Sequence, residues 1–427
     1  MPTVRTDSFA HNSLKLLTIA GLAAIPLIVM TGVHDYFRVI KEIGFRAQAI
    51  LMLFALVTLL LYGGSARLRE QLRQRAVVLI IAAAVLWSII TTAASTNRLL
   101  SAESLVTAIC GAALFVAVWY VSRSVPVTAL LILVPVAVVN SVLLTLQEYE
   151  IWNPFHFTVV VGRHFTATAL IGNPNDVGAY LGLVAIILFA LALQLRGWRR
   201  WTAAAGFAAA VSGLLVSQTR TAIIALGAAL LVYAARRSWK YAIAFSGLFA
   251  ALLFLAILVP IPGLKRLTEI PRMVSEGRLD SMLSYRLSPF LGAVEMFKER
   301  PLLGRGPGVY AFDEMPYRMR AKRKYGGRAI RTVGLNFSET HNDHLQLLAE
   351  TGVPGYALFL AALMVVAWQS RRTASAHDER TAAAVAIGLP LAAMVFVLCL
   401  ASFPLQLAVT RHLLLTAAAL IIGWKEP

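Results

Sequence analysis

The chain has 427 residues, of which 59% are hydrophobic and only 14% charged, with a mean hydropathy of +0.72. A soluble domain carries roughly 25% charge, so this chain cannot cover its apolar surface with polar groups and its solvent is lipid. The net charge of +18 is partly topological in such a chain, and no aromatic-basic stripe accompanies it, which speaks against a nucleic-acid partner.

The first apolar run, Leu16 to Val33, follows Arg5 and Lys15 as a signal peptide would. It is long and lacks a small-x-small cleavage site, so an uncleaved first span is expected. A span needs about 20 mostly apolar residues. Twelve candidates follow in order: about 14–33, 47–63, 76–94, 105–121, 126–146, 178–195, 202–218, 221–235, 241–259, 353–369, 382–402 and 407–424. Only Ser217-Gln218-Thr219-Arg220 separates the seventh from the eighth, which predicts a tight helical hairpin. Cys110 and Cys399 both fall in apolar runs and read as core residues, with no zinc or disulfide framework.

Loop charge orients the spans. With the N-terminus inside, the cytoplasmic segments hold Arg67, Arg69, Arg73 and Arg75, then Arg123, then Arg196, Arg199 and Arg200. Arg236, Arg237 and Lys240 follow, and after them Arg371, Arg372 and Arg380. With the tails this makes roughly 17 Lys and Arg inside against about seven in the short outer loops, a positive-inside bias. Both termini are then cytoplasmic. The expected fold is an all-α polytopic membrane protein of about 12 transmembrane helices. Residues 1–259 hold nine of them, 260–352 form one large outer loop with short helices, and 353–427 hold the last three. That loop contains about 15 of the 39 Lys and Arg on the side the charge rule disfavours. Long loops translocate largely regardless of charge, so topology does not explain its basic character. Helix-like stretches at Leu287 to Arg300 and Asp313 to Lys324 suggest a cap lying on the membrane.

Several polar groups along this frame could carry chemistry. Gly162-Arg163-His164-Phe165 and Gly172-Asn173-Pro174-Asn175-Asp176 precede the sixth span. Asn-Pro-Asn punctuates a helix start. Asn173 and Asn175 either cap that helix or hydrogen-bond sugar hydroxyls, and Arg163 could add to an anion site. Arg220 lies between two apolar spans, where a guanidinium is costly unless it meets an anion, water or a carboxylate. Snorkelling to the headgroups is its other reading. Arg286 opens a segment that leads to Arg300-Pro-Leu-Leu-Gly-Arg-Gly-Pro-Gly308, whose glycines permit a turn with anion-binding N–H groups. The run Arg318, Arg320, Lys322, Arg323 and Lys324 reads as a solvated or headgroup-facing surface.

The loop ends in His341-Asn342-Asp343-His344-Leu-Gln-Leu-Leu-Ala-Glu-Thr-Gly352. Thr340 reads as an N-cap with Asp343 three residues on, a variant capping box, and Gly352 with Pro354 closes the helix before the next span. His341 is then the first helical residue, at the positive end of the macrodipole. That place favours a neutral ring, the form a general base needs. The alternative is a surface histidine near the headgroups. His344, one turn on, could line the cleft. No Asp-x-Asp pair, nucleophile elbow or intramembrane carboxylate chain is present in the sequence. These absences count against a metal-diphosphate glycosyltransferase and an ion-coupled transporter.

Taken together, Gly-Asn-Pro-Asn, Ser-Gln-Thr-Arg, Arg286 with Pro-Leu-Leu-Gly-x-Gly, and His341-Asn342 leading to Ala-Glu-Thr-Gly resemble the O-antigen ligase and polymerase superfamily. The resemblance spans roughly residues 160–370, and its His-Asn…Ala-Glu-x-Gly part is the most specific. It is nearest to bacterial O-antigen ligases of lipopolysaccharide biosynthesis, which join an undecaprenyl-diphosphate-linked glycan to lipid A–core oligosaccharide. The resemblance implies a cell inner membrane protein with a periplasmic active site, an inverting transfer, and no metal or nucleotide cofactor. Residue by residue, it implies His341 as the catalytic histidine, Arg220 and Arg286 as the diphosphate-binding arginines, and Asn342 as the asparagine beside the histidine. The expected partners are the lipid-linked O-antigen, lipid A–core and membrane lipids. A polymerase of O-antigen or exopolysaccharide and a protein O-oligosaccharyltransferase share the scaffold. A polysaccharide transporter without chemistry is the reading from another class.

Overall fold

A computed structural model describes residues 2–32, 35–61, 75–155, 166–258, 264, 268–277, 279–325, 337–369 and 378–424. Among these residues the regular elements are helices. The first nine are α1 (Pro2–Leu27), α2 (Arg38–Leu61), α3 (Arg75–Ala93), α4 (Arg98–Val121), α5 (Leu133–Glu148), α6 (Pro174–Gln194), α7 (Gly197–Val216), α8 (Arg220–Arg237) and α9 (Trp239–Leu258). Four short helices follow: α10 (Ile270–Ser275), α11 (Leu279–Met282), α12 (Leu287–Glu299) and α13 (Tyr310–Tyr325). The last three are α14 (Asp343–Gln369), α15 (Glu379–Leu398) and α16 (Ala408–Trp424). A helix lies on each of the twelve apolar segments expected from sequence. Seven of the described helices (α2, α3, α4, α5, α6, α14 and α15, some with flanking 3-10 turns) are long and apolar enough to cross a membrane. Arg199 and Arg200 in α7, and Arg236 and Arg237 in α8, dilute those two helices.

Helix α6 is the axis of the bundle. It begins with Asn173 as its cap and Pro174 at its first position, the pairing that suits a helix start. Nearly all of its length is buried, against α7, α8 and α15. Small residues allow the close approach, as expected where lipid gives no hydrophobic drive between helices. A Cβ on Gly178 would meet Ser217 Oγ and Thr219 Oγ1 at 2.4 Å, so the turn between α7 and α8 rests on the start of α6.

That contact changes the expected hairpin. The turn at Ser217-Gln218-Thr219 is tight, with Gln218 at φ 53. The two helices it joins nevertheless go to different neighbours. Helix α7 packs on α5 and α6, while α8 packs on α15, α6 and α9. The start of α6 seats at the turn and lets them diverge.

Helices α12 and α13 pack on each other and on the first half of α14. They enclose a small core of Ala293, Met296, Tyr310, Tyr317 and Ala349. The two helix-like stretches read from the loop are therefore real, and they form a cap with a core of its own. Helix α14 breaks at Gly352, where φ is 69 and ψ −172. A Cβ there would lie 2.1 Å from the Leu302 carbonyl oxygen, so only glycine fits. The groups released by the break find partners: Val353 N–H donates to Pro301 O at 2.8 Å, and Trp87 Nε1 donates to Thr351 O at 2.9 Å. The half before Gly352 belongs with the cap, and the half after it is the membrane segment.

Candidate active site

The segment that carries His341 is not built as the capping rules suggested. Thr340 Oγ1 does not cap the helix; it accepts from Asn342 N–H at 3.0 Å and donates to Asn342 O at 2.6 Å. The helix starts at Asp343, and Asn342 Oδ1 accepts from Leu345 N–H at 2.9 Å. Asn342 is the N-cap. Thr340 and Asn342 are both competent caps, and the tighter Thr340 turn gives the role to the asparagine. His341 thus precedes the helix, at φ 56. A left-handed conformation costs a non-glycine residue about 1–2 kcal/mol. Flanking bonds hold it there: Thr340 N–H donates to Gln346 Oε1 at 3.1 Å, and Asp343 N–H donates to Cys399 O at 3.0 Å.

The ring of His341 sits between two aromatic edges, with centroid distances of 4.7 Å to Phe403 and 5.8 Å to Phe337. Its Nδ1 is buried without a hydrogen-bond partner among the described residues. Burial pushes its pKa down to about 3, and the positive charges of Arg286 and Arg38 push the same way. The ring is neutral at physiological pH, as expected, but desolvation and arginine charge hold it so.

Residues 399–403, between α15 and α16, gather the other elements. The Ala401 carbonyl accepts from Arg286 Nη1 at 2.6 Å and from Thr221 Oγ1 at 3.4 Å. Leu400 O accepts from Asn342 Nδ2 at 2.8 Å. Arg220, next to Thr221, opens α8 and donates through Nη2 to Ser284 Oγ at 2.7 Å, two residues before Arg286. The structure therefore brings Arg220, Arg286 and His341 around one short loop, although they are far apart in sequence.

Arg38 was not singled out from sequence, and it belongs to the same corner. It opens α2, donating to Asp176 Oδ2 at 3.2 Å and Glu339 Oε1 at 2.9 Å. Its guanidinium lies 5.4 Å from the Phe403 ring centroid. Burial raises the Glu339 carboxyl, and Arg38 opposes that rise. Asp176 follows Gly-Asn-Pro-Asn directly; a carboxylate in the first turn of an otherwise apolar helix is the signal that could have found it. Phe403 carried no signal, because its role exists only in three dimensions.

The secondary candidates have mostly local roles. Asn173 Oδ1 accepts from Asn175 N–H at 2.9 Å, which is capping. His344 is held through Nε2 by Phe396 O at 2.9 Å and through Nδ1 by Tyr356 OH at 3.2 Å. Both of its nitrogens are engaged inside an aromatic cluster with Phe359. Arg163 lies outside the described residues.

Residues 205–360 match a family model described as O-antigen ligase. That stretch, a little over a third of the chain, is similar to O-antigen ligases. It runs from α7 through the cap into α14, so Arg220, Arg286 and His341 all lie within it. Arg38, Asp176 and Phe403 lie outside it and complete the corner. No curated protein matches the chain.

The glycine turn of the matched stretch differs from the expected anion cradle. Arg305 N–H donates to Ala349 O and Gly306 N–H to Glu350 O. Tyr310 N–H donates to the Glu350 carboxylate at 3.0 Å, joined by the Gly308 N–H. Two of these N–H groups meet backbone carbonyls, and those of Gly308 and Tyr310 meet the carboxyl of the chain's own Glu350. The Ala-Glu-Thr-Gly run is thus a structural joint that fixes the helix behind His341 to the cap. Arg318 also departs from expectation. It is fully buried, pairs through Nη1 with both Glu314 oxygens at 3.0 Å, and donates through Nε to Ser288 Oγ at 2.9 Å.

Proposed function

We propose that this membrane protein transfers O-antigen from undecaprenyl diphosphate to a sugar hydroxyl of lipid A–core. In this reading both termini are cytoplasmic, and the corner formed by His341, Arg220 and Arg286 faces the periplasm. The observation that carries it is the convergence of a neutral, buried histidine with two arginines around residues 399–403.

The chemistry follows from the residue types. Arginine is planar, always charged and able to grip phosphate oxygens in pairs. Arg220 and Arg286 bind the diphosphate and stabilise the negative charge that grows on it as the anomeric C–O bond breaks. His341 takes the proton from the acceptor hydroxyl as its oxygen attacks, and attack opposite the leaving diphosphate inverts the anomeric centre. Holding the imidazole neutral keeps its lone pair ready. Its low proton affinity means that the proton passes on to the released undecaprenyl diphosphate or to water after the transfer. Arg38 acts through its neighbours: with Glu339 on one side and Phe403 on the other, it positions the segment and the ring that bracket His341.

The deciding experiment presents purified protein with undecaprenyl-diphosphate glycan and three acceptors in parallel: lipid A–core, a serine-containing peptide and a second lipid-linked glycan. Glycan on lipid A–core supports the ligase. Product on the peptide or chain extension overturns it in favour of a protein O-oligosaccharyltransferase or a polymerase. Movement of the lipid-linked glycan with no new bond points to a transporter.

A further inference from the structure

A cavity of about 700 Å³ lies between α2, α3, α4, α14 and α16. That is within the roughly 300–1,000 Å³ of small-molecule sites. Its two ends differ. Near Pro307 and Gly308 of the cap it is polar, lined by Glu42, Arg46, Glu103, Thr107, Gln406 and Arg411. Away from the cap its wall is aliphatic, from Val77 to Val85 on α3, Ala108 to Phe115 on α4, and Leu415 to Ile422 on α16.

The polar end is knit together. Arg46 donates to Glu42 Oε1 at 3.0 Å, to Thr107 Oγ1 at 2.7 Å and to Glu103 at 3.4 Å. Thr107 donates to Glu42 at 2.8 Å, and Arg411 pairs with Glu42. Two arginines thus face Glu42 and Glu103, and Glu350 lines the same cavity. A diphosphate placed here would crowd further negative charge against Glu42 and Glu103. A neutral ester, amide or hydroxyl would not, and Arg411 Nε is buried on this wall without a hydrogen-bond partner.

The cavity as a whole has about the length of one leaflet. Its lining on α4 runs twelve helical steps, from Glu103 at the polar end to Phe115 at the apolar end, about 18 Å against about 15 Å for half the hydrocarbon core. The cavity is also tied to the histidine. Leu405 and Gln406 line it, and both bond Asp343: Leu405 N–H donates to Oδ2 at 2.8 Å and Gln406 Nε2 to Oδ1 at 3.3 Å. Phe403, two residues earlier, packs on His341.

We infer that this cavity takes one acyl chain of the lipid that carries the acceptor sugar, with the ester or amide linkage at the Arg46–Thr107 end. The inference rests on the reading that His341 serves an acceptor. The site then holds the acceptor lipid on the side of α14 next to the base, and the arginine pair keeps the donor diphosphate elsewhere.

The test uses the full chain in phosphatidylethanolamine nanodiscs with lipid A bearing a diazirine near the end of one acyl chain. Irradiation is expected to label the cavity-facing residues of α3, α4, α14 or α16, with at least tenfold less label when unmodified lipid A is in excess. Ala112→Phe and Ala84→Phe, which fill the apolar end, are expected to reduce the label by a similar factor. In the transfer assay they should raise KM for intact lipid A–core about tenfold and leave turnover on de-acylated core unchanged. Label confined to other helices overturns the inference, as does equal competition by phosphatidylethanolamine or by undecaprenyl phosphate. Label at the cavity in a wild-type protein that joins no glycan to lipid A–core would count against the ligase reading alone, and normal transfer without label against the cavity alone.

Discussion

The cap and the mouth of the site are both rich in arginine, and they use it differently. In the cap, Arg318 is sealed against Glu314, Arg305 lies 2.7 Å from Asp313 and 2.8 Å from Glu299, and Lys298 and Lys324 share Glu295. Around His341, the hydrogen bonds described for Arg286 and Arg220 end on a backbone carbonyl and a serine hydroxyl. The charge of Arg286 also reaches the Asp176 carboxyl. The density of positive charge in the sequence therefore marks where the cap folds. The site proposed for the diphosphate is marked instead by arginines that the fold gathers around His341 from distant parts of the chain.

Breaking the mouth should have the largest effect. His341→Ala is expected to lower transfer on the order of 10²–10⁴-fold, the usual worth of a positioned general base, in protein that still purifies as a folded membrane species. Arg286→Ala and Arg220→Ala should each lower turnover on the order of 10²–10³-fold through lost charge stabilisation. Lysine should recover little at either place, because a point charge does not reproduce the fork. Full activity in Arg220→Lys would return that residue to mere snorkelling.

Breaking the cap should change stability instead. Arg318→Met leaves Glu314 buried and uncompensated, which costs about 3–5 kcal/mol. Replacing both partners by apolar residues of similar size should restore most of that loss. Thermal unfolding of the purified protein reads both, and specific activity of the folded fraction should stay near wild type. A tenfold drop in that activity would give the cap a part in the chemistry.

The histidine itself sharpens the contrast through pH. Its folded pKa, about 3, is below the unfolded value near 6.5. Above 6.5 both states hold it neutral and it contributes nothing to pH dependence. As pH falls from 6.5 toward 3 the unfolded state takes the proton first, so stability declines across that window. His341→Gln should flatten the decline. For the same reason transfer by wild type should show no acid limb near pH 6.5. The smallest effect belongs to the cap surface: Arg320 is half exposed beside Glu299, and Arg320→Ala should cost under about 1 kcal/mol.

The helices were legible in the sequence because lipid demands long apolar runs, and the described helices fall on them. Arg220, Arg286 and His341 were legible as costly or oddly placed polar groups, and the fold brings them to one loop. Their surroundings were not legible. Arg38 meets Glu339 across about 300 residues of chain, and no local pattern encodes that pairing. The cap of α14 was misassigned to Thr340 because two good capping residues stand two apart, and only the wider bonding of Asn342 decides between them. Arg318 read as surface because its burial depends on Ser288 and Phe337, both from other elements.

In the proposed mechanism neutral His341 removes the acceptor proton beside a pair of phosphate-binding arginines. Chemical rescue tests it most directly: folded His341→Ala protein, the lipid-linked donor and lipid A–core, with imidazole added over a range of concentration and pH. Imidazole is expected to restore transfer, at a rate that follows its neutral fraction as pH rises through 7. Transfer by His341→Ala at the wild-type rate without imidazole would contradict the mechanism, and so would a variant that binds both substrates yet gains nothing from imidazole at any pH.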